Sequence, residues 1–470
     1  MSPVRLLAAF VCGLVIWQLF RLNREEKVKT SLALWIPTLW IFVGATRNLS
    51  VWLSFSSDDS GQGGYLEGNP IDQVGAALML GIGILVLVRR GRQVIELLQS
   101  NKAVVLFFSY CAVSAIWSDF PEVSIKRGLR AIGDIVMVLL VLSETNRLTA
   151  IRRVLARVGY VSIPMSILFI RYFPELGRVY SRGGLSTWSG VASGKNGLGM
   201  ICLVFGLAFL YRFFEVYQEK QSPERRRTLL AQLVILAMVF YLLFQAHSAT
   251  SYAVFFLAGG PMAMVCLFRW ARRPAIVHTM VASVTAVAAS ALFLNVGGGM
   301  LAQLGRDSTL TGRTDIWRSA FSLVENPIVG TGFESFWLGE RLAKMEILID
   351  QRVNQAHDGY IEIYLNLGVV GVILLLFVLL VAYGRVVRAV EWEGLVAGLS
   401  LAYFIANVTY NFTEAAFKMM HPLWIGLFLM SMAKPSPPLP ADSPPVLTPS
   451  IPRKRKLEPK PVVTMARRLR

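Results

Sequence analysis

The stretch Asn354-Gln355-Ala356-His357-Asp358-Gly359-Tyr360 sets a histidine beside a carboxylate, immediately before a long apolar run. Histidine changes charge near neutral pH, and a neighbouring carboxylate orients such a ring and strengthens it as a base. Asp358, Glu362 and Asn366 follow at four-residue spacing, so on a helix they share one face. Glu362 and Asn366 enter the apolar zone, where polar side chains are costly and normally face a bundle interior or a wet cavity. The pattern reads as a general base, His357, above a polar pocket. The plainer reading is a solvated loop histidine at a membrane interface.

Arginines and a lysine supply the complementary chemistry. The segment 171–195 carries Arg171, Arg178 and Ser181-Arg182-Gly183-Gly184, and ends at Ser193-Gly194-Lys195-Asn196-Gly197-Leu198-Gly199. Glycines allow close backbone approach, and a helix starting near Asn196 with Lys195 beside it favours an anion. Turn glycines with a snorkelling lysine are the alternative. The segment 298–360 carries Gly312-Arg313-Thr314-Asp315-Ile316-Trp317-Arg318, then an amphipathic pattern (Ile316, Trp317, Ala320, Phe321, Val324). It breaks at Asn326-Pro327 and turns through Gly330-Thr331-Gly332. The guanidinium fork matches phosphate oxygens. Alternatively, Arg313 and Arg318 pair with Asp315 or lie at headgroup level.

The elements that must position these groups are membrane helices. The chain is 54% hydrophobic and 16% charged, and apolar runs long enough to cross a hydrocarbon core of roughly 30 Å recur throughout. Without strand alternation such runs are helices, because the backbone must satisfy itself in lipid. The fold class is an all-α polytopic membrane protein of about 12–13 transmembrane helices. The spans fall near 4–20, 31–46, 72–88, 103–117, 129–143, 156–170, 196–213, 229–246, 251–268, 275–296, 361–383, 394–410 and 417–433. Asp134 interrupts the fifth. The first run is read as a span, because no small-residue cleavage site follows it.

Basic clusters fall in every second loop: around Arg21 to Lys29, Arg89 to Arg92, Arg147 to Arg153, Arg225 to Arg227, Arg269 to Arg273, and Arg385 to Arg388. By the positive-inside rule these loops are cytoplasmic. Loops 47–71, 118–128, 171–195, 298–360 and 411–416 then face outward. The net charge of +18 is thus a topology signal, with no soluble basic domain to bind nucleic acid.

Cys12, Cys111, Cys202 and Cys266 lie in or at apolar runs and read as buried hydrophobes, with no disulfide or metal framework. Asp58-Asp59 reads as a solvated loop and not as a metal site, and no cofactor is called for. Residues 1–433 form the membrane domain. Residues 434–470, proline-rich and basic, are expected to be a disordered cytoplasmic tail near anionic lipid.

Taken in order, these residues resemble the O-antigen ligase and polymerase superfamily of membrane glycosyltransferases. The family pattern is a histidine, a small polar residue, nine residues, a glycine, two residues and a small residue. It stands here as His357, Asp358, Gly359 to Leu367, Gly368, Val369-Val370 and Gly371. Gly312-Arg313-Thr314, Trp317, Asn326-Pro327 and Gly330-Thr331-Gly332 match the upstream element. Trp117-Ser118-Asp119, Gly194-Lys195-Asn196-x-Leu198-Gly199 and Asn411-x-Thr413-Glu414 extend the likeness. Leu34 to Pro37 and Leu66-Glu67-Gly68-Asn69-Pro70 are similar to the exopolysaccharide-polymerase branch. Asp358 departs from the Asn, Ser or Gln more often found there in ligases.

The resemblance implies a GT-C-like fold with one large periplasmic loop, 298–360, in the bacterial inner membrane. It implies a metal-independent transfer of glycan from an undecaprenyl-diphosphate-linked oligosaccharide to an acceptor hydroxyl at the outer face. In that reading His357 is the base, Glu362 and Asp358 support it, and Arg182 and Arg313 clamp the diphosphate. Arg318 and Lys195 stand second. A flippase and a chain-length regulator are implied partners. Polymerisation of repeat units, ligation of finished glycan to a lipid core, and non-catalytic lipid-linked oligosaccharide transport are the competing functions. The long outer loop ending in a histidine argues against the transporter.

Overall fold

The computed structural model of the chain describes residues 2–23, 28–54, 68–180, 186–293, 309–350 and 353–433. Arg182, Asp58-Asp59 and the tail from residue 434, for which the sequence sets expectations, lie outside the described residues.

The helices are α1 (Pro3–Leu22), α2 (Trp35–Ala45), α3 (Leu49–Ser54), α4 (Pro70–Arg89), α5 (Gly91–Ser100), α6 (Lys102–Val113), α7 (Pro121–Leu142), α8 (Arg147–Tyr172) and α9 (Pro174–Gly177). They continue as α10 (Lys195–Gln218), α11 (Pro223–Gln245), α12 (Ala249–Leu267), α13 (Pro274–Phe293), α14 (Thr309–Ser322), α15 (Gly339–Ile349), α16 (Gly359–Trp392), α17 (Val396–Tyr410) and α18 (Pro422–Ser431). Two short antiparallel strands, β1 (Arg178–Tyr180) and β2 (Ser186–Trp188), pair with Val179 opposite Thr187.

Every apolar stretch read from the sequence falls on a helix. Among the described residues seven helices are long and apolar enough to cross a membrane. Gly91–Ser100 with Lys102–Trp117, bent by 90°, makes an eighth if the pair is one span. Four further apolar helices are 10–17 residues long: Leu32–Ala45, Pro274–Ser290, Val396–Tyr410 and Pro422–Ser431. The chain is a multi-pass helical membrane protein. The four short helices bring the total to 11 or 12, and the expected fifth span lies on α7, a further helix of 22 residues. At about 1.5 Å per residue, the 15-residue α17 covers about 22 Å, less than a hydrocarbon core. It stays central because almost every side chain along it is buried.

Asp134 shows how a carboxylate inside the bundle is satisfied. Asp134, fully buried on α7, accepts from Trp40 Nε1 on α2 at 2.7 Å and from the Met420 backbone N–H at 2.8 Å. The interruption of the fifth apolar stretch is therefore a three-way tie, consistent with the rule that intramembrane carboxylates find partners. The segment expected to be amphipathic is α14. Ile316 and Ala320 bury with Phe336, Trp337, Leu342, Met345, Ala356 and Leu365 in a small second core, separate from that of the bundle. The long polar segment thus folds, in its described part, as a two-helix cap, α14 and α15, over the start of α16.

Candidate functional site

The N-terminus of α16 is built by local rules. Asp358 is its N-cap, and one carboxylate oxygen accepts from the Tyr360 and Ile361 N–H groups, both at 2.9 Å. Such a cap satisfies amides that would otherwise be orphaned and is worth about 0.5–2 kcal/mol. Burial pushes the Asp358 carboxyl up to about 6, against the lowering effect of those N–H groups and of Arg313. His357, just before the cap, has φ of 53°, a left-handed conformation that a non-glycine residue holds only when its surroundings fix it.

The surroundings do fix it from both sides. The Ala356 N–H donates to Glu362 Oε1, and the Ala356 carbonyl accepts from Trp317 Nε1 at 2.8 Å. Glu362 is held in turn by Trp337 Nε1 at 2.8 Å. Gly359 packs so closely that a Cβ there would overlap Asn411 Oδ1, and its N–H donates to the Asn411 carbonyl at 2.8 Å. Asn411 Oδ1 also accepts from the Ala416 and Phe417 N–H groups, which shapes the turn after α17.

That turn presents Glu414, which is 6% exposed and central to the cluster. Glu414 Oε2 lies 3.4 Å from His357 Nδ1, Oε1 accepts from Asn196 Nδ2 at 2.8 Å, and Oε1 lies 3.6 Å from Arg313 Nη2. Arg313 Nη1 donates to the Thr413 carbonyl at 2.7 Å. With Nδ1 turned to a carboxylate, the imidazole keeps Nε2 as the nitrogen able to accept a proton. The site therefore joins α10, the cap helix α14, the start of α16 and the end of α17.

The remaining motif glycines explain how the cap docks. Gly368 breaks α16, with φ of 63° and ψ of −165°. The freed groups bond to the turn after α14: Gly332 N–H to the Asn366 carbonyl at 2.9 Å, and Val369 N–H to the Pro327 carbonyl at 2.9 Å. A Cβ at Gly368 would run into the Ile328 carbonyl. Trp117 Nε1 donates to the Val329 carbonyl at 3.2 Å, and Arg341 Nη2 bonds Asp119 at 2.8 Å. Motifs far apart in the chain thus meet at one end of the bundle.

Beside the cluster is a cavity of about 850 Å³. Lys126, Arg127, Arg130 and Lys418 line it together with Glu334, Glu362, Asn366 and the His357 neighbours Gln355 and Gly359. His357 itself is not among the lining residues; its side chain is 30% exposed and turned toward Glu414.

The expected residues separate clearly. His357, Asp358, Glu362 and Arg313 come together, but Asp358 serves the helix and Glu362 the Ala356 backbone and Trp337. Neither carboxylate contacts the His357 ring. Lys195, exposed at the first turn of α10, adjoins Asn196. Arg318, 80% exposed, pairs with Asp315 at 3.1 Å, the plainer of its two readings. Arg171 lies over Trp188 and Tyr241, and Arg178 over Trp188. The roles of Glu414, Asn196 and the cationic wall of Lys126, Arg127 and Arg130 were not read from the sequence. Arg127 falls in a loop assigned outward, so the scarcity of arginine in such loops was a usable signal.

Residues 233–376 match the model of the family described as O-Antigen ligase. That stretch holds Arg313, Trp317, His357, Asp358, Glu362 and Gly368, and stops short of Glu414. The chain is also 29% identical over 294 residues to the exopolysaccharide production protein ExoQ of Rhizobium meliloti. The alignment covers 59% of this chain and 63% of that relative, so the chain spans under two thirds of the relative's length. The resemblance read from the motifs thus rests on two separate comparisons.

Proposed function

We propose that the protein polymerises lipid-diphosphate-linked oligosaccharide repeat units into an exopolysaccharide or O-antigen-type polymer at the outer face of the inner membrane. The observation that carries the reading is the convergence of His357, Glu414 and Arg313 beside a cavity lined by Lys126, Arg127, Arg130 and Lys418. In this reading His357 Nε2 takes the proton of the acceptor hydroxyl as its oxygen attacks the anomeric carbon. The bond from that carbon to the diphosphate breaks, and the lipid diphosphate leaves with the electron pair. Glu414 holds the imidazole in place. Arg313 and Lys195 stabilise the leaving charge, with Arg182 as a further clamp and the cavity cations as additional donors.

The name of the matched relative, an exopolysaccharide production protein, favours polymerisation. The description of the matched family favours the second reading, ligation of finished glycan to a lipid core. Full-length protein in nanodiscs, given a lipid-diphosphate-linked repeat unit with and without a lipid-core acceptor, tests the two together. A ladder of lipid-linked products supports polymerisation. Transfer solely to an added lipid-core acceptor supports ligation, and no new glycosidic bond with either acceptor returns the transporter reading. Activity in the presence of chelator is expected, since arginines and lysines can neutralise the leaving group without a metal.

A further inference from the structure

A second polar cavity lies at the opposite end of the bundle. It measures about 310 Å³. Its position follows from α10. Asn196, in the first cluster, and Arg212, in this cavity, are sixteen residues apart on one helix, or about 24 Å.

The cavity is cationic. Arg152, Arg153, Arg157 and Arg212 line it. Glu215 answers two of these charges: it pairs with Arg152, and with Arg212 at 2.7 Å. Arg157 is answered differently. Its guanidinium lies 4.2 Å from the Trp35 ring centroid, and its Nη1 is buried with no hydrogen-bond partner among the described residues. A buried charged donor without an acceptor is costly, so the position is suited to an anionic oxygen.

The opposite polarity is also present. Gln232 on α11 is fully buried and lines the cavity. Its Nε2 donates to Tyr160 Oη at 2.9 Å, whereas its Oε1 accepts from no described residue. The cavity therefore offers a cationic donor and an acceptor, and a ligand that satisfies both carries an anionic oxygen and a hydroxyl. Asn23, which accepts from Gln232 Nε2 at 3.3 Å, and Tyr211 also line it, and the rest of the wall is apolar, with Leu155 and Phe209 among its residues.

We propose that this cavity binds the headgroup of a phosphate-bearing lipid with a free hydroxyl. The phosphate oxygen would sit on Arg157, the headgroup hydroxyl would donate to Gln232 Oε1, and the first part of the chain would lie on Leu155 and Phe209. A free phosphate ion offers the same oxygens and hydroxyl but leaves the apolar wall uncovered. The site belongs to the face remote from His357 and takes no part in the transfer step. Its expected setting is the leaflet marked by the basic loops, where anionic lipid is attracted by arginine and lysine.

The test uses the full-length protein, delipidated in detergent, with lipid retention read by native mass spectrometry and stability by thermal unfolding. Phosphatidylglycerol is expected to be retained and to raise the unfolding midpoint, whereas phosphatidylcholine and millimolar inorganic phosphate are not. Arg157→Gln is expected to weaken phosphatidylglycerol binding about 10-fold or more, the scale of one charge-assisted hydrogen bond. Should that variant fail to fold, the soluble headgroup glycerophosphoglycerol must displace phosphatidylglycerol from the wild-type protein. Equal binding of both phospholipids, undiminished binding by folded Arg157→Gln, or no displacement by the headgroup would overturn the proposal. Stabilisation by inorganic phosphate as large as by phosphatidylglycerol would assign the site to a soluble anion and overturn the lipid assignment.

Discussion

His357 Nδ1 lies 3.4 Å from Glu414 Oε2, a residue 57 positions away, while the carboxylate of its chain neighbour Asp358 is turned into the helix. The two acids differ in what they hold. Asp358 caps the start of a helix, and Glu414 gathers a histidine, an arginine and an asparagine from three other elements.

Glu414→Gln tests that division. Glutamine keeps an oxygen for Asn196 Nδ2 but removes the negative charge and the second carboxylate oxygen. The expected outcome is a fall in kcat with little change in KM, smaller than the about 10²–10⁴-fold effect of a lost general base. Steady-state transfer kinetics on the purified variant provide the check. An unchanged kcat would make Glu414 a scaffold residue only.

The fold class was legible because apolar length and basic-loop alternation are consequences of the lipid solvent itself. His357 and Arg313 were legible as candidates through motif order, and so were the break at Asn326-Pro327 and the turn through Gly330-Thr331-Gly332, although their docking at Gly368 was not. Glu414 was quoted as part of a motif but given no role, since no local spacing links it to His357. Asp358 was misjudged as a partner of the ring. An acidic residue immediately before an apolar helix is first of all a helix cap. The exposed pairing of Arg318 with Asp315 was available from their three-residue spacing.

Gly359→Ala addresses the packing that brings the two halves together. Its Cβ would overlap Asn411 Oδ1, which also holds the turn 411–417. Overpacking of this kind costs about 1–3 kcal/mol. A lower unfolding midpoint and faster hydrogen exchange in 411–417 are expected. A variant with the wild-type midpoint and exchange would show that the contact yields freely.

The Asp358 carboxyl gives stability a pH dependence with a defined sign. Burial raises it from the usual range near 4 to about 6, so between those values the folded state holds a proton that the unfolded state does not. Its contribution is present below about pH 4, is lost as the pH rises through about 6, and is constant above. Asn caps helices as well as Asp and carries no such proton. Asp358→Asn should therefore gain on the wild type as pH rises from about 4 to 6 and hold that gain to pH 8. Unfolding midpoints of both proteins across this range decide the matter, and a difference independent of pH refutes it.

Sidedness is open to a direct measurement. Glu340 is exposed at the start of α15, within the segment expected to lie outside. A single cysteine at position 340 should react with an impermeant thiol reagent in intact cells, and one at position 440 should react only after lysis. Labelling at 440 but not at 340 in intact cells would reverse the assigned topology, and with it the periplasmic placement of the site; labelling at both would overturn the cytoplasmic placement of the tail.

The sharpest expectation concerns His357 as the base. Its ring is held at Nδ1 by Glu414 and its backbone by Glu362 and Trp317 through Ala356, so the free nitrogen has a fixed position. His357→Ala should remove about 10²–10⁴-fold of the transfer rate while leaving a folded membrane protein, since the side chain is 30% exposed and contributes little packing. His357→Gln retains hydrogen bonding but accepts no proton at neutral pH, so it should be nearly as inactive. Purified variants, a lipid-diphosphate donor and added chelator make the measurement. Full activity of the glutamine variant would reduce His357 to a positioning residue, because hydrogen bonding alone would then suffice. Loss of wild-type activity on chelation would point to a metal and return attention to Asp58 and Asp59.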